Sequence, residues 1–314
     1  MRRAFRYGPP ALEGIREIGV IWQGELRRAL RSPRTLVLIL LYCFFAALVL
    51  IAVSFMVSSA TSTLNTNLGG QGVPEEGQAQ VALEAKAALL KWLFGEDVNL
   101  VEALSRIPVV IPLVFKITLF FLPAYAALMG FDQISGEIEP RSIRYLAVRA
   151  RRSSILFGKF AAQATVLVSL ILLVDTLIFA TARILNPEFE FSLLLPTLLR
   201  FWVAAFVFST AYVALTSLCS ALFSLPAVSL IFNLIALFGL WMLDAVGGWI
   251  GSWAALQGQE EPFLANLRWL SPTAYSNALL HPEFGVFGRG LVAYVIFSAV
   301  FLAAGYLVLR RRDV

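Results

Sequence analysis

Six apolar runs, each long enough to cross a bilayer, constrain this chain more than any other feature. A hydrocarbon core about 30 Å thick needs roughly 20 apolar residues per helix. Runs of that length, bounded by charges or turn residues, fall at 35–57, 107–131, 160–182, 198–223, 227–247 and 289–309. The fourth and fifth are parted only by Ser224-Leu225-Pro226. One long helix is the alternative there, but proline lacks the backbone donor and clashes with the preceding turn, so the sequence predicts two spans. With 59% hydrophobic and 14% charged residues among 314, a water-soluble fold is excluded, because too few polar side chains remain to cover a globule. The expected fold is an all-α integral membrane protein: one six-helix domain over 35–309, external segments 58–106 and 252–288, a loop at 132–159 and a tail at 310–314.

The positive charge is distributed unevenly. Residues 1–34 carry eight arginines, 132–159 carries Arg141, Arg144, Arg149, Arg151, Arg152 and Lys159, and the tail carries Arg310, Arg311 and Arg312. The intervening segments are poorer: 58–106 has Lys86, Lys91 and Arg106 against six acids, 183–197 has Arg183, and 252–288 has Arg268. Short loops rich in Lys and Arg stay on the cytoplasmic side, which predicts both termini inside a plasma membrane, that of a bacterial inner membrane. The net charge of +5 is then a topology signal, with no nucleic-acid partner implied. The first span starts after 34 residues and lacks a small-residue cleavage pattern, so it does not read as a removable signal peptide.

Within 1–34, Leu12, Ile15, Ile18, Trp22, Leu26, Ala29 and Leu30 share one helical face, opposite Glu13, Arg16, Glu17, Arg27, Arg28 and Arg31, with Val20 and Ile21 breaking the pattern. This predicts an amphipathic helix in the cytoplasmic interface, turned into the membrane at Ser32-Pro33. The 58–106 segment reads as a polar stretch from Ser58 to Gly77 and a helical one from Gln78 to Phe94, together a short external cap. Trp241, Trp249, Trp253 and Trp269 with Gly247, Gly248 and Gly251 predict an interfacial or partly re-entrant region before the last span. Pro112 and Pro123 are expected to kink the second span.

Catalytic patterns are missing. The one Gly-Lys pair, Gly158-Lys159, fails as a P-loop because residue 153 is serine and residue 160 phenylalanine. The single histidine, His281, removes a multi-histidine metal site, and Cys43 and Cys219 sit in apolar runs as small hydrophobes. No cofactor is expected on this chain. Charges inside the spans are the better lead, because an ionised group at bilayer depth is costly unless paired or watered. Lys116 and Asp175 fall roughly 14 and 10 Å from the outer ends of their spans at a rise of 1.5 Å per residue, depths suited to an ion pair or a substrate contact. Arg200 and Asp244 also lie near outer ends. Asn233 and Gln163 read as interhelical hydrogen-bond partners.

The 132–159 loop runs from Asp132-Gln133-Ile134-Ser135-Gly136-Glu137-Ile138-Glu139 into Pro140-Arg141-Ser142-Ile143-Arg144-Tyr145-Leu146-Ala147-Val148 and ends at Gly158-Lys159. Physically it is a glycine-broken acidic turn, a short basic amphipathic helix and a basic re-entry; any such loop also satisfies the positive-inside rule as a solvated face. Its order resembles the cytoplasmic loop of ABC-2 type transporter permeases, in which an acidic Ser-Gly-Glu segment leads into a short coupling helix and ends at Gly-Lys. Six spans, the amphipathic N-terminal helix, Ser271-Pro272 before the last span and the Arg311-to-Val314 ending fit the same family. Arg141-Ser142 stands where many members have Gly-Thr, and Ala150-Arg151-Arg152 where many have Pro before Ser-Arg. The resemblance implies a permease subunit that pairs with a second copy or homologue and sits on two separate cytoplasmic ABC ATPase subunits, which hold ATP and Mg²⁺. By the same match Glu137, Glu139, Arg141, Arg144 and Tyr145 form the ATPase-coupling interface. The implied function is export of a lipophilic or amphiphilic substrate. The alternatives are a mechanotransmitting subunit acting on an extracytoplasmic protein through the external segments, and an ion-coupled secondary transporter using Lys116 and Asp175.

Overall fold

The structure, a computed structural model, describes residues 10–70, 75–95, 97–140, 142, 145, 148, 150–185, 191–258 and 262–312. Regular structure among them is helical: α1 (Pro10–Arg31), α2 (Pro33–Gly70), α3 (Glu75–Phe94), α4 (Val98–Ser105), α5 (Val110–Gly130), α6 (Ser135–Ile138), α7 (Arg152–Leu185), α8 (Phe191–Leu222), α9 (Pro226–Leu256), α10 (Phe263–Asn266), short 3₁₀ turns between Leu267 and Leu280, and α11 (Phe284–Arg311). Six helices are long and apolar enough to span, namely the first half of α2, α5, α7, α8, α9 and α11. The protein is therefore a multi-pass membrane protein.

The spans are unequal in burial. At least half of each apolar window is buried in α5, α7 and α8, but less than a fifth in α2, α9 and α11. α8 sits at the centre, packed by α11, α7 and α5, while α2 leans on α5. Small residues make that possible: Ala204, Ala211, Ala214, Ser209, Ser217 and Ser220 of α8 are fully buried and let neighbouring backbones approach. Their hydroxyls are satisfied locally, as Ser209 and Ser217 donate to the carbonyls of Ala205 and Val213 one turn back. Between helices, Asn233 Nδ2 donates to Thr216 Oγ1 at 3.1 Å and Gln163 Nε2 to the Ala126 carbonyl at 3.0 Å, the bridging roles expected of both residues. Both cysteines are free thiols.

Several local readings change. α2 does not stop at the end of the apolar run but continues through the Ser/Thr-rich stretch to Gly70, where a polar non-helical segment is expected. Ser62, Thr63 and Thr66 hydroxyls donate to carbonyls three or four residues back, which absorbs the polar groups without breaking the helix. Pro112 lies in the first turn of α5, where its missing N–H has no intrahelical role, so only Pro123 is interior. Pro226 opens α9 after α8 ends at Leu222, as the turn signal requires. Trp241, Trp249 and Trp253 lie on one continuous helix that runs to Leu256, and Trp269 lies in the chain that folds back after it. α10 and the turn Leu267–Leu270 fold back along α9, so that a Cβ at Gly247 would meet Arg268 Cβ at 2.8 Å and the Ala265 carbonyl at 3.1 Å.

Arginines close the helix ends at the basic face of the bundle. Arg152 donates to the carbonyls of Leu309 (3.1 Å), Arg310 (2.6 Å) and Arg312 (3.0 Å) at the end of α11, and Arg312 reaches the Leu222 carbonyl that ends α8. Cations near carbonyl-rich helix C-termini are favourable for the same reason that free carbonyls there need donors.

Candidate coupling site

The first half of the 132–159 loop is pinned to the bundle before it can reach outward. Ser220 of α8 accepts the backbone N–H groups of Ile134 (2.9 Å) and Ser135 (3.1 Å), Ser217 Oγ lies 3.2 Å from Gln133 Oε1, and Ser135 donates to the Phe131 carbonyl. Ile134 and Ser135 are fully buried. One helical turn, α6, then aims Glu137 back at the protein.

Glu137 meets Lys159 there, with Oε1 2.8 Å from Nζ, and Lys159 Nζ also donates to Glu25 Oε1 of α1 at 2.7 Å. Lys159 is only 2% exposed. Arg28 closes the group from the rim, its NH1 3.6 Å from Glu137 Oε1 and 3.9 Å from Glu25 Oε1. The buried Lys159 ammonium is thus shared by two carboxylates, with Arg28 at the exposed rim. The network joins three pieces far apart in sequence: α1, the acidic turn and the start of α7.

α1 is held along its length by the same strand of contacts. Trp22 Nε1 donates to Thr165 Oγ1 at 3.0 Å, and Glu17 Oε2 accepts the Arg151 N–H at 3.1 Å. Arg151 NH2 also lies 3.7 Å from Glu13 Oε2. The Ser154 hydroxyl, then the Arg151 amide and guanidinium, hold the Glu17 carboxyl below its ordinary range. Gly158 is the close-approach point, since a Cβ there would stand 2.7 Å from Ile21 Cγ2 and 3.2 Å from the Ile18 carbonyl. Ile21 breaks the amphipathic pattern of α1 because it packs on Gly158, while Val20 remains exposed. The Gly158-Lys159 pair thus has a packing and electrostatic logic of its own.

Beyond the pinned turn the loop projects. Glu139 is exposed, and Tyr145 and Val148, both helical, are 80% and 87% exposed. Arg141 and Arg144 lie outside the described residues, as do Ile143, Leu146 and Ala147. Of the five expected interface residues, Glu137 is therefore displaced from an outward-facing position, because Ser220 fixes the turn that carries it and Lys159 claims its carboxylate.

At the opposite end the intramembrane charges do not pair as expected. Lys116 Nζ donates to Asn277 Oδ1 at 2.6 Å and lies 5.1 Å from the Phe94 ring centroid, while Asn277 Nδ2 donates to the Phe94 carbonyl. No ion pair joins Lys116 to Asp175 among the described residues. Asp175 is turned into the bundle, 2% exposed, and its Oδ2 has no hydrogen-bond partner. Arg200 stacks 5.2 Å from the Phe287 ring, and Asp244 Oδ1 faces Arg268 Nε at 3.7 Å. The segment between α9 and α11 supplies the partners Asn277 and Arg268, neither of which stands in an apolar run. His281 Nε2 lies 3.1 Å from Asp97 Oδ2, and Asp97 Oδ1 also caps α4 through the Leu100 N–H.

The family profile described as ABC-2 family transporter protein matches residues 20–314, and the chain belongs to that family. It is an ABC transporter permease, a class of membrane subunit that works with an ABC ATPase. No curated protein matches the chain.

Proposed function

We propose that this permease exports a lipophilic or amphiphilic substrate, using ATP and Mg²⁺ bound by two separate ATPase subunits, with a second permease copy or homologue completing the pore. The arginine-rich end and both termini face the cytoplasm, in keeping with the positive-inside distribution. The observation that carries the reading is the Lys159 bridge to Glu137 and Glu25. A force applied at the exposed Tyr145 and Val148 tip reaches a turn that is tied at once to α1, α7 and α8. ATPase closure then shifts these helices together, and the ATPase state that binds the tip better selects the matching arrangement of spans. Tyr145 acts as the partly buried anchor of the docked state, and Glu139, Arg141 and Arg144 set register.

Affinity purification in mild detergent from the native host tests this. A stoichiometric ATP-binding subunit with vanadate-sensitive hydrolysis stimulated by amphiphiles is expected; a chain that comes alone, without hydrolysis, contradicts it. The second reading, transmission of force to an extracytoplasmic protein, draws on Trp92, Leu83 and Val98, which stand exposed on the cap formed by α3 and α4. A stoichiometric extracytoplasmic protein in the eluate, with hydrolysis indifferent to amphiphiles, would favour it.

A further inference from the structure

α7 carries a single acid through the interior of the bundle. Asp175 lies about 24 Å along that helix from Lys159, at a rise of about 1.5 Å per residue, far from the charges of the coupling site. It is 2% exposed, its Oδ2 is buried without a hydrogen-bond partner, and among the described residues it forms no ion pair. The cations on the helices packed against α7 are engaged elsewhere. On α5, Lys116 donates to Asn277, and on α8, Arg200 stacks on Phe287. The charges of α1 that meet α7 gather at Lys159 and Arg151, while those of α11, Arg289, Arg310 and Arg311, stand near its ends. The Tyr294 hydroxyl of α11 donates to the Pro272 carbonyl. On α2, Tyr42 stands within electrostatic reach of Asp175, with Tyr125 of α5 against it, ring centroids 4.9 Å apart, and the Cys43 thiol beside both. Neither tyrosine hydroxyl has a hydrogen-bond partner, so neither donates to the carboxyl.

An ionised carboxylate in such a place has neither donor nor cation to replace its hydration, and a group so placed neutralises instead. A proton needs no cavity, only the oxygen it binds. We propose that Asp175 is a proton-binding site inside the membrane, un-ionised while α2 lies against α5 and α7 and ionised when α2 lifts away. α2 is suited to such a move, because only 11% of its apolar window is buried, against 61% in α5 and 50% in α7. Lifting it uncovers the side of the bundle that Tyr42 closes and lets water reach the carboxyl. The step is an acid dissociation: the O–H bond breaks, its electron pair stays on the carboxylate oxygen, and the proton passes to water. The packed arrangement holds one proton more than the lifted one, so acid favours the packing of α2 and rising pH favours its lifting. This proton site belongs to the permease chain alone and does not depend on ATP coupling.

The test uses the full-length permease in an ester-free detergent, where infrared spectroscopy separates the carbonyl stretch of an un-ionised carboxyl from the bands of carboxylates and amides. At neutral pH the wild type should show such a band, and Asp175→Asn should lose the amplitude of one carboxyl. Asp175→Glu keeps a carboxyl at the site. With aspartate carrying ¹³C at its side-chain carboxyl, the wild-type band should therefore shift, and the band at the site in Asp175→Glu should not. That pair decides the assignment if Asp175→Asn does not fold. Spin labels on α2 and α7 should move apart in the wild type over the pH range in which the band disappears, and should hold their separation across the same range in Asp175→Asn. Absence of an un-ionised carboxyl band at neutral pH, a band that neither variant alters, or a label separation that widens equally in wild type and Asp175→Asn overturns the proposal.

Discussion

Lys159→Met probes the α1 clamp most sharply, because it removes one charge and almost no volume. In the wild type a single ammonium, 2% exposed, holds two carboxylate oxygens at 2.7 and 2.8 Å. Oxygens at 2.7 and 2.8 Å from one nitrogen lie at most about 5.5 Å apart, and two like charges at that spacing and an effective dielectric of about 20 repel by about 3 kcal/mol. Removing one member of a buried charge group typically costs about 3–5 kcal/mol, which agrees with that figure. Arg28 stays within 4 Å of both carboxylates but is largely exposed, so it offsets little of the loss. The assay is reversible unfolding in mixed micelles, with hydrogen exchange reporting α1 separately. Lys159→Met should cost about 3 kcal/mol or more and raise exchange across 17–26, whereas Arg106→Ala, which breaks an exposed pair, should cost under about 1 kcal/mol. Adding Glu137→Leu to Lys159→Met should recover about 1–3 kcal/mol. If Lys159→Met costs no more than Arg106→Ala and α1 exchange is unchanged, the clamp does not exist.

Other expectations follow from neighbouring contacts. Gly158→Val should displace α1 and cost about 1–3 kcal/mol, since even a Cβ meets Ile21 at 2.7 Å; crosslinking between cysteines placed on α1 and α7 reads the displacement. In a double-mutant cycle Lys116 and Asn277 should couple by about 0.6–1.7 kcal/mol, whereas Lys116 and Asp175 should be additive within about 0.5 kcal/mol; the reverse pattern would restore the ion pair. Because the folded-state carboxyl of Glu17 titrates below its unfolded value, its contribution to α1 docking is complete above the ordinary glutamate range near pH ~4.3 and is lost as pH falls through the lowered value. Glu17→Gln should abolish that acid step in α1 exchange while leaving exchange at neutral pH faster throughout.

What could be read directly from the amino acids was what repeats on a long scale. Six apolar runs define six spans because a helix must satisfy its backbone inside lipid, and no tertiary contact is needed to see it. Pro226 marks its boundary through the same local chemistry. Asn233 and Gln163 are legible as bridges because a lone amide in an apolar run needs a partner. Partner identity was not legible. Lys116 finds Asn277 across 161 positions, and the depth argument that matched it to Asp175 says nothing about which side of each helix the two residues occupy. The polar extension of α2 hides because serine and threonine composition reads as loop, although their hydroxyls can close on the helix's own carbonyls. Glu137 is legible as part of a motif, but its inward direction is set by Ser220, a residue on another span.

In the proposed coupling the loop tip receives the force and the Lys159 network passes it on. The most direct test is to count ATPase subunits and measure hydrolysis in complexes purified with Tyr145→Ala and with Lys159→Met. Tyr145→Ala is expected to lose the ATPase, whereas Lys159→Met keeps it bound but no longer raises hydrolysis when amphiphile is added. Full retention and full stimulation in both would contradict it.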